Sequence, residues 1–187
     1  MLLVVQLLGC GSKAVSINYY SLEASTPQID KKIDQPLPLS IGVGPVQIPQ
    51  LLKRPHLVTR SATYQVEHAA FDRWSGDLQE EITHALARSI SRQLGTKKIS
   101  IYPWGKTLSP DWKIRVDIQR LDGERGKAAY LEARWTLIDK KGVIVLTELS
   151  QHHEKIEENS YEALVAAQSR LLEIFSLEIS DKIRSRH

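Results

Sequence analysis

Between Trp112 and Leu149 apolar and polar residues alternate. Trp112, Ile114, Val116 and Ile118 fall on one side of an extended chain, and Lys113, Arg115, Asp117 and Gln119 on the other. After a turn at Gly123–Gly126 the pattern resumes, with Leu131, Ala133, Trp135 and Leu137 set against Glu132, Arg134 and Thr136. Asp139–Gly142 then turns the chain into Val143–Leu149. Three such runs joined by short turns predict an antiparallel meander with one solvated face. Two other segments keep a longer period. Leu78, Ile82, Leu86, Ile90 and Leu94 recur every fourth residue and predict a helix over Leu78–Leu94. Asp77 with Glu80 suits its start, and Gly95 its stop. Tyr161, Leu164, Leu171, Leu172, Phe175 and Ile179 mark a second helix over about Ser160–Arg184, with Asn159 and Glu162 at its start.

The stretch Ile41–Trp74 keeps neither pattern for long. It opens with a strand at Ile41–Val46 and crosses a loop bearing Pro45, Pro49 and Pro55. It returns through Leu57–Arg60 and Thr63–Glu67, which read as a hairpin. Shorter strands are expected at Ile17–Glu23 and Lys98–Tyr102, with a polar connection over Ala24–Pro38. Two amphipathic helices and a sheet with one wet face have a simple solution, in which both helices cover the apolar face. The expected fold is α+β, two-layered, with a mostly antiparallel sheet and both helices on one side.

Composition narrows the function classes. The 187 residues suffice for one domain with a real core. A net charge of +3, with scattered Lys and Arg, lacks the basic stripe of a nucleic-acid binder, so no nucleic-acid partner is expected. The single cysteine excludes an intramolecular disulfide.

That cysteine ends an apolar run. Met1–Leu8 leads into Leu7-Leu8-Gly9-Cys10, which resembles the lipobox of a bacterial lipoprotein. The resemblance implies a diacylglyceryl thioether on Cys10, cleavage before it and acylation of the new amine. The competing reading is a buried cysteine on an N-terminal strand. The charged segment expected ahead of such a run is absent, and the expectation is a native start upstream of Met1 or a trimmed chain. Residues 1–9 are then a signal-peptide remnant, 10–16 a lipidated tether and 17–187 a single domain. Gly11, where an inner-membrane retention signal would carry Asp, implies by the same resemblance an outer-membrane anchor facing the periplasm. Several acyl chains on one residue make that anchor stable.

Catalytic and ligand-binding patterns are sparse. His152 and His153 are adjacent on a strand and so point to opposite faces. Gly42 and Gly44 are followed by Pro45 instead of a helix, which argues against a phosphate loop. His68 and Asp72, four apart, have no further ligand-type residue between them. HExxH, CxxC and GxSxG are absent. Neither metal, cofactor nor catalytic residue is assigned, and no enzymatic activity is expected.

The run from Gly42 to Leu94 does carry a resemblance. Val43-Gly-Pro-Val-Gln-Ile-Pro49, Leu51-Leu-Lys-Arg-Pro-His-Leu-Val-Thr-Arg60, Arg73-Trp74 ahead of the helix, and Tyr20-Ser-Leu22 together resemble the PqiC-like auxiliary lipoproteins of ABC-type, MCE-domain lipid transporters. Where that family often has a Tyr-Leu-Asp-like run, this chain has Leu51-Leu-Lys53. The resemblance implies a non-enzymatic outer-membrane subunit that docks a periplasmic MCE-protein conduit, with an MCE-domain protein as partner and self-association into a homo-oligomer. The alternative is an outer-membrane assembly lipoprotein supporting lipopolysaccharide or β-barrel insertion. A periplasmic enzyme with an unseen site is the third class. Within the stretch, Pro49, Leu51, Leu52, Lys53, Arg54 and Pro55 form the candidate partner-binding loop. Leu51 and Leu52 either face outward on a backbone pre-set by the prolines, or fold back to cap the sheet. Arg60, Arg73 and Trp74 are the candidate structural latch, pairing and stacking with one another.

Overall fold

The structure is a computed structural model, and it describes residues 16–22, 36–62, 64–105 and 109–186. The long alternating runs form the centre of a five-stranded sheet. β2 (Ile41–Gln47), β5 (Ile99–Ile101), β6 (Trp112–Glu124), β7 (Ala128–Asp139) and β8 (Ile144–Lys155) lie in the order β5-β2-β6-β7-β8. The β6-β7-β8 meander is antiparallel, and β2 runs parallel to both of its neighbours. Parallel neighbours need a crossover, and α1 (Leu78–Leu94) supplies it on the way from β2 to β5.

Register decides which side chains meet the helices. Ile114 lies opposite Leu137, Val116 opposite Trp135 and Ile118 opposite Ala133, all buried on one face. α1 and α2 (Tyr161–Arg184) cover that face with the stripes the sequence predicts, and Leu86, Ile90, Leu171 and Phe175 are all fully buried. Ser89 bonds to Glu173, and further along Gln93 bonds to Ser176 and Ser180, so the two helices run in the same direction. The Asp77 carboxylate accepts from the Glu80 amide, and Gly95 closes α1 at φ 68°. The start of α2 differs from expectation. Ser160, not Asn159, is the cap, and its hydroxyl accepts from the Ala163 amide.

The hairpin from the irregular stretch stands apart as a second sheet. β3 (His56–Ala62) and β4 (Gln65–Trp74) pair antiparallel, and β1 (Asn18–Tyr20) adds in parallel to β4, giving the order β1-β4-β3. β4 runs on past the predicted Glu67 to Trp74, with a register break between His68 and Arg73. Trp74, Leu57 and Val58 carry this small sheet into the common core.

Candidate functional site

The proline-bracketed loop is built as a single 3-10 turn. β2 ends at Gln47, Ile48 turns inward, and Pro49 at φ −64° and ψ 154° leads into Gln50–Lys53. The Leu52 amide donates to the Pro49 carbonyl at 2.9 Å, which closes the turn on itself, and the Trp74 amide donates to the Pro55 carbonyl at 2.7 Å, which pins the far end to β4. In such a turn consecutive side chains diverge by about 120°. Leu52 is therefore only 3% exposed and belongs to the core, while Leu51 is half-buried against it. This corrects the outward reading for Leu52: the core takes it. The outward residues are Gln50, Lys53, Arg54 and Pro55. Beside them lies a cleft of about 460 Å³, lined by Gln47, Pro49, Lys53, Gln79 and Asp117 among others.

The two glycines of Ile41-Gly-Val-Gly-Pro45 serve packing in this region. A side chain at Gly42 would come within 2.9 Å of both Trp104 and Pro110. Gly44 sits at φ +114°, and a Cβ there would meet that of Tyr102 at 2.9 Å.

The expected latch among Arg60, Arg73 and Trp74 does not form. Hairpin register places Arg60 opposite Val66 and Arg73 opposite His56, at different ends of the strands. Arg60 instead donates to Asp122 on β6 at 2.5 Å, and Arg120 donates to the other carboxylate oxygen at 2.7 Å. Asp122 is almost wholly buried, and Arg120 lies 4.1 Å over the Tyr130 ring. This ion triad joins the small sheet to the large one. Trp74 is buried in the core, and the Arg73 Nε is buried without a partner.

Polar side chains also line the inner face of β8. Trp135 Nε1 donates to the Ser150 hydroxyl at 3.0 Å, and that hydroxyl donates to Glu178 at 2.7 Å. His152 Nε2 lies 2.9 Å from the other Glu178 oxygen. Serine and histidine thus converge on one carboxylate, whereas nucleophilic catalysis requires them in series, with the histidine between. The cluster ties α2 to the sheet edge, together with Lys182–Glu148 and Arg170–Glu154. His153 points to the other face, stacked on Tyr130. Asp72 accepts from Asn18 and from the Tyr20 hydroxyl, each at 2.9 Å, while His68 packs edge-on to His56. Burial, then the bond to Asp72, pushes the Tyr20 hydroxyl up to about 12. Among the described residues no three His, Cys, Asp or Glu side chains converge on a metal-sized site.

The chain matches the ABC-type transport auxiliary lipoprotein components over residues 20–180. It belongs to this family. A solved structure described as an uncharacterized protein superposes with a TM-score of 0.72 at 18% identity, covering 90% of this chain and 99% of its own. A Xanthomonas campestris protein of the DUF330 family does so at 0.65 and 14%, covering 81% and 94%. At those identities the likeness shows the fold alone. No match was found among curated proteins.

In this auxiliary lipoprotein, Cys10 and residues 11–15 of the tether lie outside the described residues. The sequence reading passes over Asp122, bonded by Arg60 62 positions away as well as by nearby Arg120, and Glu178, whose partners stand 26 and 28 positions away. One signal was available for Asp122: it is a charge following Leu121 where strict alternation falters.

Proposed function

We propose that this auxiliary lipoprotein is a non-enzymatic subunit of an MCE-type intermembrane lipid transport system. Acyl chains on Cys10 hold it at the periplasmic face of the outer membrane, where it docks the end of the partner's conduit. The observation that carries this reading is the family match, which spans nearly all of the described fold. The loop Gln50–Pro55 supports a docking role. It is closed by its own turn bond and pinned to β4 at Pro55, it presents Lys53 and Arg54 outward, and it borders the cleft with Asp117 at its wall. A backbone already held in place loses little freedom on binding.

Self-association belongs to the same proposal and uses the sheet edge. Among the described residues no strand pairs beyond β8 over its 12 residues. Val143 just ahead of it and Ile144, Val145 and Leu149 on it, with Ile174 and Leu177 on α2, are exposed large apolar side chains. An open edge of this length is a template for another strand.

A photo-crosslinking amino acid at Lys53 or Arg54 of the full chain, in intact envelopes, tests the docking role. Crosslinks to an MCE-domain protein are expected. Crosslinks to lipopolysaccharide- or β-barrel-assembly components instead would refute the transport reading.

A further inference from the structure

We propose that the outward face of the three-stranded sheet, bearing Ile17, Tyr19 and Phe71, rests on the phospholipid headgroup layer. The inference rests on the anchor proposed above and adds the protein surface that meets the membrane.

The register defines the face. Asn18 pairs with Asp72, Tyr19 with Arg73 and Tyr20 with Trp74. Asn18 and Tyr20 both bond to Asp72, and Trp74 is buried, so these four residues share the face that leads to the body, with Asn18 at its exposed rim. Tyr19 and Arg73 look the other way, with Ile17 and Phe71 one step off in register. Tyr19 is 63% exposed, Phe71 48% and Ile17 37%.

Three observations point to a bilayer as the occupant. Cys10 lies seven residues before Ile17, so at full extension the face stays within about 25 Å of the acylated thiol. So short a link keeps the membrane at high effective concentration, and a weak contact is then sufficient. The composition is interfacial: two aromatic rings and an aliphatic side chain beside a guanidinium, the mixture enriched where hydrocarbon gives way to headgroups. Arg73 shares the face, its Nε buried without a partner beside the unpartnered Nδ1 of His56. The nearby Asp72 carboxylate is turned away and already bonded. Finally, the patch is small. Three partly exposed side chains fall well short of the roughly 800 Å² per partner that a stable protein interface takes.

Acylation consumes the only thiol, so Tyr19→Cys or Phe71→Cys in the full acylated chain gives one labelling site. Each variant is labelled with a nitroxide and reconstituted on phosphatidylethanolamine–phosphatidylglycerol vesicles. A label at Lys97→Cys, in the exposed turn after α1, serves as the comparison. Labels at 19 and 71 are expected to gain collisions with oxygen and lose them with a water-soluble nickel complex, relative to 97. Equal nickel access at all three sites would overturn the proposal while leaving the anchor intact. Shielding of 19 and 71 from both reagents would overturn it in favour of a protein cover, from a second copy or a partner. Labelling of the unsubstituted chain would show a free Cys10, removing the anchor and this inference together.

Discussion

Removing the Asp122 carboxylate tests the joint between the two sheets. Asp122 is 3% exposed at its side chain, while Arg60 and Arg120 keep 30% and 26% of theirs. Asp122→Ala therefore deletes two charge-assisted bonds but leaves cations that water can still reach. Two bonds to charged groups at about 1.5–3 kcal/mol each, less the regained hydration, put the cost near 3 kcal/mol. Arg60→Ala is milder. It leaves Asp122 held by Arg120 and forfeits one bond, for about 1–2 kcal/mol. For a chain of this size those values correspond to about 6–12 °C and 2–8 °C in Tm. Thermal or urea unfolding of both single variants and the double variant gives the coupling directly. If the triad is right, Asp122→Ala is the worse single change and Arg60→Ala adds little on top of it. Equal single effects that sum in the double variant would refute the triad as the joint.

The loop offers a contrast between neighbours: Leu52→Ala should cost about 2–4 kcal/mol in urea unfolding, whereas half-buried Leu51→Ala should cost under about 1 kcal/mol. For Glu173, burial raises the carboxyl, but bonds from Ser89, Arg92 and Gln93 outweigh it and hold the group below its ordinary 4.5. A lowered carboxylate contributes stability that is present above pH 4.5 and lost as pH falls through its folded value. Glu173→Gln should flatten that part of the acid limb of a Tm-against-pH curve, leaving the share of Asp111, which Ser40 also holds low. At the open edge, Val145→Lys with Leu149→Lys should shift sedimentation toward monomer with Tm little changed, because both side chains are already exposed.

The elements that could be read from the chain are those whose burial is one-sided and apolar. α1 keeps its stripe for 17 residues and ends on a glycine, so even its bounds were visible. Alternation predicts a last strand ending at Leu149, but β8 continues to Lys155. The reason is that Glu148, Ser150, His152 and Glu154 take the inner positions, and α2 satisfies them with Lys182, Glu178 and Arg170. Alternation cannot announce a strand whose inward side is polar. β4 was cut short for another reason: the register break between His68 and Arg73 scrambles its faces. In the candidate site, the position of the loop was legible from Pro49 and Pro55. Which leucine turned inward was not, because two adjacent apolar residues carry no phase. The latch expected of Arg60 with Arg73 and Trp74 is absent because the partner of Arg60, Asp122, lies on a strand far along the chain.

The parallel pairing of β1 with β4 also governs how the molecule bears mechanical load. A pull along the strand from residues ahead of Ser16 enters at Asn18 and meets three backbone pairs in shear, all strained together. The bonds from Asn18 and Tyr20 onto Asp72 lie in the same cross-section, as does the one from the Ser75 amide to the Tyr20 carbonyl. Beyond them the Leu22 amide is held by Glu81 of α1 at 2.8 Å, so tension passes into the helix and the main core and bypasses the hairpin tip. On the anchoring and docking proposed above, drift between the membrane and the partner pulls on this strand. The parallel pairing resists such tugging, where an antiparallel hairpin opened from its end would unzip bond by bond.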